Sequence, residues 1–407
     1  AAPALADGVH SDGCEQLLAA QGRLHEMGLD EVILGGLSPS ETHMSVLMAL
    51  RRHVNTRSTW DLIENDIRDR ERADFSERVK EQEKAFRLQW ADEVWALAGE
   101  LHIARALPPI DATLPSMIAT GDIIGELRME HALGKGGSGT VCLATNTDTA
   151  AAEAVKTIPK AKHSSAQKIL NIAAEVEAMQ NLRHENVVAL LGVVHAPRHV
   201  LLRMEFAGPA TVLSILAQSD GTRLPLARVR NLYQQVVAGI EYCHRADVAH
   251  CDIKSENLGV DAEGRRLKLL DFGCAAKGRA ILAEPRGTMP FMAPEVILSG
   301  FGGGGYAPKA ADVWSMSVVL LEMAAGFGSM TQLMGWPAEP EVSQKSGEDI
   351  LEVLGAGAGA VHDMVSKYCG PPHGHLTDLL GATLAVAPDC RPSAARLAEH
   401  PWILGPA

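Results

Sequence analysis

HCDIKSEN at positions 250–257, followed shortly by Asp271 in DFG, is the part of the chain that most strongly indicates how it folds. Asp252 can accept a proton from a hydroxyl group, and Lys254 can neutralise a phosphate. Asn257 and Asp271 offer the oxygen ligands that magnesium prefers in proteins. Because one short loop carries three of these four groups, the spacing predicts that they meet around a single phosphate.

A glycine-rich stretch, GKGGSGTV at 134–141, lies upstream. Alternating apolar residues precede it and VCLA at 141–144 continues from it, which predicts two strands joined by a glycine turn. Glycine suits such a turn because side chains would keep the backbone amides away from phosphate oxygens. Lys156 follows at the end of an apolar strand, where a cation needs a partner.

The ordered motifs from about Leu127 to Trp402, roughly the last two thirds of the chain, resemble those of a protein kinase. The resemblance implies an α+β fold of the bilobal kinase type, with a small lobe of five antiparallel strands and one helix and a larger, mostly α-helical lobe. A helical N-terminal region would precede both lobes. The expected domains are a helical extension at 1–106, a proline-containing linker at 107–120 and a kinase-like domain at 121–407, with its N-lobe at about 127–205 and its C-lobe at about 208–404.

The resemblance also implies transfer of the γ-phosphate of ATP to Ser or Thr hydroxyls of proteins, assisted by Mg²⁺. Asp252 would be the base or orienting residue, and Lys254, whose position resembles serine/threonine kinases, would neutralise the transferred group. Lys156 would contact the α- and β-phosphates and pair with Glu175. Glu177 is the alternative partner, but it would face away if its apolar neighbours face inward. The remaining expected ligands are Asn257 and Asp271 for magnesium and, for the nucleotide, Gly134, Lys135, Gly136, Gly137, Ser138, Gly139, Val141, Ala154, Met204, Glu205 and Ala207.

GTMPFMAPE at 287–295 resembles the segment that seats the peptide substrate in kinases. By the same resemblance, Thr288 would hydrogen-bond the catalytic aspartate and lysine. Glu295 lies in an apolar setting and needs an ion-pair partner, for which Arg391 is the candidate. Asp312, in DVWS, would lie on a central helix that anchors the catalytic loop, residues 250–257, by binding the backbone of that loop.

The chain departs from the kinase pattern at several positions. Cys251 replaces the arginine that commonly binds a phosphorylated activation-loop residue, and the activation loop, defined here as residues 274–286, contains no serine, threonine or tyrosine. The two absences agree and predict activity that does not depend on phosphorylation of this loop. Gly259 stands where kinases usually place a bulky residue beneath the adenine, which predicts weaker packing of the nucleotide. Two acidic residues, Glu256 and Glu322, indicate a weak preference for basic residues beside the target hydroxyl.

The N-terminal region shows helix-start signals but resembles no known family. SPSE, beginning at Ser38, combines a serine cap, a proline in the first turn and an acidic residue three positions after the cap. A second start at Ser58 leads into a charge-rich segment that continues to about Arg105, with apolar residues three or four apart. The segment is either a solvated helix whose apolar stripe packs on the rest of the protein, or a docking or dimerising arm at 58–105.

Composition limits the function classes. The chain has 407 residues, 46% of them hydrophobic and 21% charged, which is typical of a globular protein with two or three domains. A net charge of −13 argues against nucleic acid as a partner. Seven cysteines without a CxxC pair, and no apolar run long enough for a membrane helix, predict an intracellular protein. It would be cytoplasmic or, if a targeting peptide has been removed ahead of Ala1, in an organelle.

Two functions compete at this point. The first is an active serine/threonine protein kinase, since every residue that the reaction needs is present. The second is a pseudokinase or scaffold subunit that binds partners through the N-terminal helices and binds nucleotide weakly or not at all. Cys251 and Gly259 support the second interpretation.

Overall fold

The fold is taken from a computed structural model. The structure describes residues 85, 88–96, 98, 106–115, 118–218, 223–355, 359–369 and 374–405. The helix start predicted at Ser38, and most of the helix predicted between Ser58 and Arg105, lie outside the described residues.

A six-stranded sheet forms the first layer, in the order β1-β2-β3-β4-β6-β5. Its strands are β1 (Ile123–Ile124), β2 (Leu127–Lys135), β3 (Thr140–Asn146), β4 (Ala152–Pro159), β5 (Leu190–His195) and β6 (His199–Glu205). The sheet has one strand more than the five predicted. The additional strand is β1, which pairs antiparallel with β2 through a two-residue turn opened by Gly125 at φ +59°. Two residues are too short to give a readable alternation in sequence.

One helix, α1 (Ala166–Met179), lies between β4 and β5 in the sequence. Its buried residues Ile169, Ile172, Val176 and Met179 recur three or four apart and form a single apolar stripe. The remaining helices are α2 (Val212–Gln218), α3 (Leu226–Arg245), α4 (Pro294–Ser299), α5 (Pro308–Ala325), α6 (Ser329–Met334), α7 (Gln344–Gly355), α8 (Gly359–Cys369), α9 (Gly374–Thr383), α10 (Ala394–Ala398) and α11 (Pro401–Leu404).

Helix α5 is buried along nearly its whole length, and this explains its composition. A helix that is apolar all round cannot lie at a surface and must be covered by its neighbours. Helices α3, α8 and α9 pack against it. The polar residues that it does carry therefore have to be satisfied inside the protein, and the site described below uses two of them.

Two small sheets complete the fold. One has the order β10-β9-β7, formed by β7 (Ala210–Thr211), β9 (Leu258–Val260) and β10 (Leu267–Leu269); the other pairs β8 (Val248–Ala249) with β11 (Ala276–Lys277). Short 3₁₀ turns lie at Lys160–Lys162, Ser255–Asn257 and Pro388–Cys390. The pairs β9–β10 and β8–β11 are antiparallel. In the sequence, β8 directly precedes the catalytic loop and β9 directly follows it.

The chain divides into two compact units, one of residues 1–142, 156–173 and 193–202 and the other of residues 143–155, 174–192 and 203–407. In the first unit, Trp95 is buried and its Nε1 donates to the carbonyl oxygen of Lys160 (3.4 Å). The described part of the predicted N-terminal helix therefore packs on its own unit, as the first of the two interpretations expects.

The predicted linker is tied to the same unit. The backbone amide of Asp111 donates to the carbonyl oxygen of His195 (2.8 Å), and Nδ1 of His195 lies 2.9 Å from the carbonyl oxygen of Pro108. In the part of the chain that the structure describes, no helix is both long enough and apolar enough to cross a membrane.

Candidate active site

Asp252 lies at the centre of a hydrogen-bonded cluster in the second unit. Its Oδ1 accepts a hydrogen bond from Thr288 Oγ1 (2.8 Å), and its Oδ2 lies 3.2 Å from both Lys254 Nζ and Asn257 Nδ2. Lys254 Nζ also donates to Thr288 Oγ1 (2.9 Å). The hydrogen bonds expected between Thr288 and the side chains of Asp252 and Lys254 are therefore present. A carboxylate offers about four acceptor sites, so these three neighbours leave room for one more donor.

The backbone of the catalytic loop is fixed by Asp312, which projects from α5. Asp312 Oδ2 accepts from the amide of His250 (2.8 Å) and Oδ1 accepts from the amide of Cys251 (2.8 Å). His244 Nε2, at the end of α3, lies 2.8 Å from Oδ2 as well. The carboxylate is almost fully buried, so it acts as a rigid anchor, and the role predicted for it is confirmed.

A second buried carboxylate on α5 holds the other half of the loop. Ser255 Oγ donates to Glu322 Oε2 (2.6 Å), and the amide of Gly328 donates to Oε1 (3.3 Å). Burial raises the pKa of Glu322 to about 7. Glu322 is 1% exposed, so the suggestion that it selects basic residues in a substrate is wrong. The run of apolar residues around it in the sequence is a signal that could have indicated its burial.

The pairing of β9 with β10 places Asn257 and Asp271 on adjacent backbone segments. The amide of Leu270 donates to the carbonyl oxygen of Asn257 (2.8 Å), which places Asp271 one residue beyond the residue opposite Asn257. Because Asn257 Nδ2 donates to Asp252, the amide oxygen of Asn257 remains as the atom that can bind a cation.

Asn257 and Asp271 suit a magnesium site to which the protein contributes few ligands. Among the described residues, no group of three or more His, Cys, Asp or Glu side chains could hold a metal ion. Mg²⁺, however, is usually bound by only one or two protein carboxylates and is completed by water and by the phosphates of its substrate. One carboxylate and one amide oxygen on adjacent backbone segments fit a magnesium site that water and substrate phosphates complete.

The glycine-rich turn belongs to the first unit and has two kinds of glycine. A Cβ at Gly139 would lie 2.2 Å from the carbonyl oxygen of Thr157, so no other residue fits there. A Cβ at Gly134, Gly136 or Gly137 would meet no atom within 4 Å, so those glycines leave the backbone open to a ligand.

His163 is a residue near this turn that sequence reasoning missed. It is buried, and its Nε2 lies 2.8 Å from the carbonyl oxygen of Ser138. Burial lowers its pKa below 6.5, so at neutral pH the uncharged ring donates this hydrogen bond. A histidine about 25 residues from the turn gives no motif, and only the fold brings the two together.

Lys156 and Glu175 are both buried, whereas Glu177 is exposed. Lys156 lies in β4 and Glu175 in α1 next to the buried Val176. Glu177 points elsewhere, because its Oε1 lies 3.3 Å from Lys277 Nζ. These placements agree with the choice of Glu175 over Glu177, and the pairing of Lys156 with Glu175 stays a prediction.

The expected adenine-binding residues in the second unit lie at the end of β6 and just beyond it. Met204 is buried, and Glu205 Oε1 pairs with Lys268 Nζ (3.1 Å). A Cβ at Gly259 would lie 3.0 Å from both the Ala207 side chain and the Leu270 side chain. The space that a larger residue at 259 would need is thus already filled by the side chains of Ala207 and Leu270. The weaker packing of the nucleotide expected from Gly259 stays a prediction. The other expected nucleotide ligands, Lys135, Val141 and Ala154, lie on β2, β3 and β4.

The ion pair expected between Glu295 and Arg391 is present. Arg391 Nη1 and Nη2 donate to the two carboxylate oxygens of Glu295, at 2.5 and 2.8 Å. The guanidinium also stacks 5.0 Å from the ring centroid of Trp314 on α5. A bidentate pair of this kind fixes both the distance and the orientation of α4, on which Glu295 lies.

The environment of the two cysteines near the catalytic loop favours their protonated thiols. Burial raises the pKa of the Cys251 thiol, and burial followed by the carboxylates of Asp252 and Asp271 raises that of Cys274 to about 11. Both side chains therefore stay protonated at neutral pH, and a thiol is a poor nucleophile. The cysteines of the described residues form no disulfide.

Comparison with known proteins agrees with this arrangement. A family model described as the protein kinase domain matches residues 127–403. Sucrose non-fermenting protein kinase 1 of Fusarium virguliforme is 34% identical over 220 residues, which cover 54% of this chain and 30% of that protein.

Two Arabidopsis thaliana proteins are also similar to the chain. CBL-interacting serine/threonine-protein kinase 24 is 32% identical over 207 residues, covering 50% of this chain and 45% of that protein. Mitogen-activated protein kinase kinase kinase 2 is 29% identical over 289 residues, covering 68% of this chain and 41% of that protein. The chain thus spans less than half the length of these relatives. With the family match over most of its length, and the bilobal α+β kinase fold confirmed, the chain belongs to the protein kinase family.

Proposed function

We propose that the chain catalyses transfer of the γ-phosphate of ATP to Ser or Thr hydroxyls of protein substrates. The observation that carries the proposal is the cluster in which Thr288, Lys254 and Asn257 converge on the carboxylate of Asp252. Phosphoryl transfer gains mainly from positioning and from neutralising charge, and this cluster supplies both.

Each residue of the cluster has a separate task. Asp252 orients the substrate hydroxyl and takes up its proton on the acceptor site that its three neighbours leave open. Lys254 neutralises charge on the transferred phosphoryl group, and its hydrogen bond to Thr288 keeps the ammonium group in place. Thr288 belongs to the segment expected to seat the peptide, so it couples the position of the peptide to that of Asp252.

ATP and Mg²⁺ are the cofactors implied by family membership. The amide oxygen of Asn257 and the carboxylate of Asp271 would hold magnesium, which supplies neutralisation of phosphate charge. The open glycines of the 134–139 turn would receive phosphates, and Lys156 would contact them with Glu175 as its partner. Met204, Glu205 and Ala207 would bind the adenine.

The N-terminal assignments also remain proposals. We place a helical extension at 1–106, a linker at 107–120 and the kinase domain at 121–407, and we infer that docking or self-association involves the helix at 58–105. Because Trp95 is buried within its own unit, a partner would bind the faces of this helix that point away from Trp95.

Asp252→Asn tests the proposal. Asparagine keeps the shape but loses the charge and the proton acceptor, so the rate of γ-phosphate transfer to a serine-containing peptide should fall by about 10²- to 10⁴-fold. Asp247→Asn is the matched control: Asp247 is exposed, lies five residues earlier and, among the described residues, has only Lys309 as an ion-pair partner. Asparagine also tolerates its positive φ of 59°.

The same pair of variants separates a kinase from a scaffold. Loss of transfer in Asp252→Asn alone, with ATP binding retained in both variants, supports the kinase. Equal background transfer from the native chain and both variants would instead identify a pseudokinase or scaffold subunit.

A further inference from the structure

Arg286 ties the two ends of the activation loop together. From the C-terminal end of the loop, its Nη1 donates to the carbonyl oxygens of Cys274 (3.0 Å) and Ala275 (3.1 Å) at the N-terminal end. These partners lie 12 and 11 residues away along the chain. A guanidinium donating to carbonyl oxygens makes charge-assisted hydrogen bonds, which are stronger than neutral ones.

Tyr306 holds the middle of the same loop. Its backbone exchanges two hydrogen bonds with Leu282, at 2.9 and 2.8 Å, and its Oη donates to the carbonyl oxygen of Glu284 (3.0 Å). Tyr306 is buried, whereas Ile281 next to Leu282 is largely exposed. The buried Tyr306 therefore holds the middle of the loop in place, although Ile281 of the same loop faces solvent.

The environment of Arg286 explains why Cys251 suits its position. Cys251, Arg286 and Tyr306 line the same small cavity. An arginine at 251 would bring a second guanidinium into this space, and two like charges at short range repel each other. The neutral thiol at 251 is thus compatible with a cation that projects from the activation loop instead of from the catalytic loop.

We propose that Arg286 is a positioning residue for substrate phosphorylation, which fixes the activation loop through the carbonyl groups of Cys274 and Ala275 without a phosphate. The hydrogen bonds are internal to the chain, so they form on folding. The loop carries no hydroxyl side chain that could be phosphorylated, and this agrees with such a device. The effect on activity rests on the proposed function, whereas the effect on loop order does not.

The test compares Arg286→Met with Arg279→Met in the phosphatase-treated full chain. Both variants remove one guanidinium from the activation loop, but Arg279 is exposed and its side chain makes no hydrogen bond or ion pair among the described residues. Amide hydrogen exchange, followed by mass spectrometry, reports on peptides that cover 274–286. Steady-state kinetics with a serine-containing peptide reports kcat and KM, and titration with an ATP analogue reports nucleotide affinity.

Arg286→Met should speed exchange in 274–286 by about tenfold or more, and lower kcat/KM for the peptide by a similar factor, because two charge-assisted hydrogen bonds are lost. Nucleotide affinity should stay within about twofold, since Arg286 is not among the expected nucleotide ligands. Arg286→Lys, which keeps the charge and one donor direction, should recover part of both effects. Arg279→Met should match the native chain.

Two results would overturn the proposal. One is equal exchange in Arg286→Met, Arg279→Met and the native chain. The other is a loop that becomes protected only after the chain is phosphorylated. Absence of phosphoryl transfer from the native chain would refute the proposed kinase function instead, and the exchange comparison would still decide the role of Arg286.

Discussion

The catalytic loop at 250–257 and the activation loop at 274–286 are both short, mostly irregular segments, yet they are held in different ways. Two carboxylates on the buried helix α5, those of Asp312 and Glu322, accept hydrogen bonds from the catalytic loop. Each of the two residues is 1% exposed. The activation loop is bound mainly through its own carbonyl groups, by Arg286 and Tyr306. The first arrangement depends on carboxylates inside the core, and the second depends on hydrogen bonds that are only partly buried.

Substitutions in the two loops should therefore lower stability by different amounts. A group that is buried with its partners cannot be replaced by water, so its loss leaves donors unsatisfied. A contact at a partly exposed loop can be replaced by water, so its loss changes the order of the loop more than the stability of the fold. Variants in the two regions should therefore separate stability from loop order.

The largest effect is expected for Asp312→Ala. Removal of this carboxylate strands the buried amides of His250 and Cys251 and takes a partner from His244. The free energy of unfolding should fall by about 3–5 kcal/mol, measured by urea denaturation. Asp378→Ala is the control, since it makes the same change in an exposed position of helix α9. A loss below about 1 kcal/mol in Asp312→Ala would show that the loop does not depend on the core in this way.

A smaller, pH-dependent effect is expected at Glu322. Its folded-state pKa of about 7 lies above the ordinary value of 4.5, so the protonated form is favoured in the folded protein. The stability that it contributes is complete below pH 4.5 and is lost as pH rises through 7. The loss should reach at most about 3 kcal/mol.

Glu322→Gln keeps a partner for Ser255 but cannot titrate. The difference in Tm between this variant and the native chain should grow in favour of the variant from pH 5 to pH 8, as followed by thermal unfolding at each pH. A difference that stays constant over this range would mean that Glu322 is already ionised in the folded protein at pH 5.

Much of the catalytic loop could be predicted because its residue types are dictated by chemistry. Asp252, Lys254 and Asn257 stand at fixed spacing in one short segment, and their convergence needs only a local turn. Asp312 could be predicted from its motif in the same way. The partner of Glu295 could be predicted because a carboxylate in an apolar setting requires a cation.

The remaining features depend on distances that a sequence does not contain. Leu270 fills the space at Gly259 only because β9 and β10 lie side by side, and His163 reaches Ser138 only through the fold. The strand β1 depends on the turn at Gly125. The burial of Glu322 depends on the helices that pack against α5. In the sequence, Arg286 is one of several charged residues of the activation loop. Its hydrogen bonds to two carbonyl groups, which only the structure reveals, distinguish it from Arg279.

The smallest effect is expected for Tyr306→Phe, which removes the single hydrogen bond from Tyr306 Oη to the carbonyl oxygen of Glu284. One hydrogen bond is worth about 1 kcal/mol, so amide exchange around Glu284 should rise by about fivefold while exchange in the catalytic loop stays unchanged. Tyr242→Phe makes the same change at a hydroxyl that binds the amide of Arg183, and it should leave the activation loop as it is. If Tyr306→Phe instead loosened both loops equally, the activation loop would have to be regarded as part of the core that holds the catalytic loop, and the distinction between the two regions would fail.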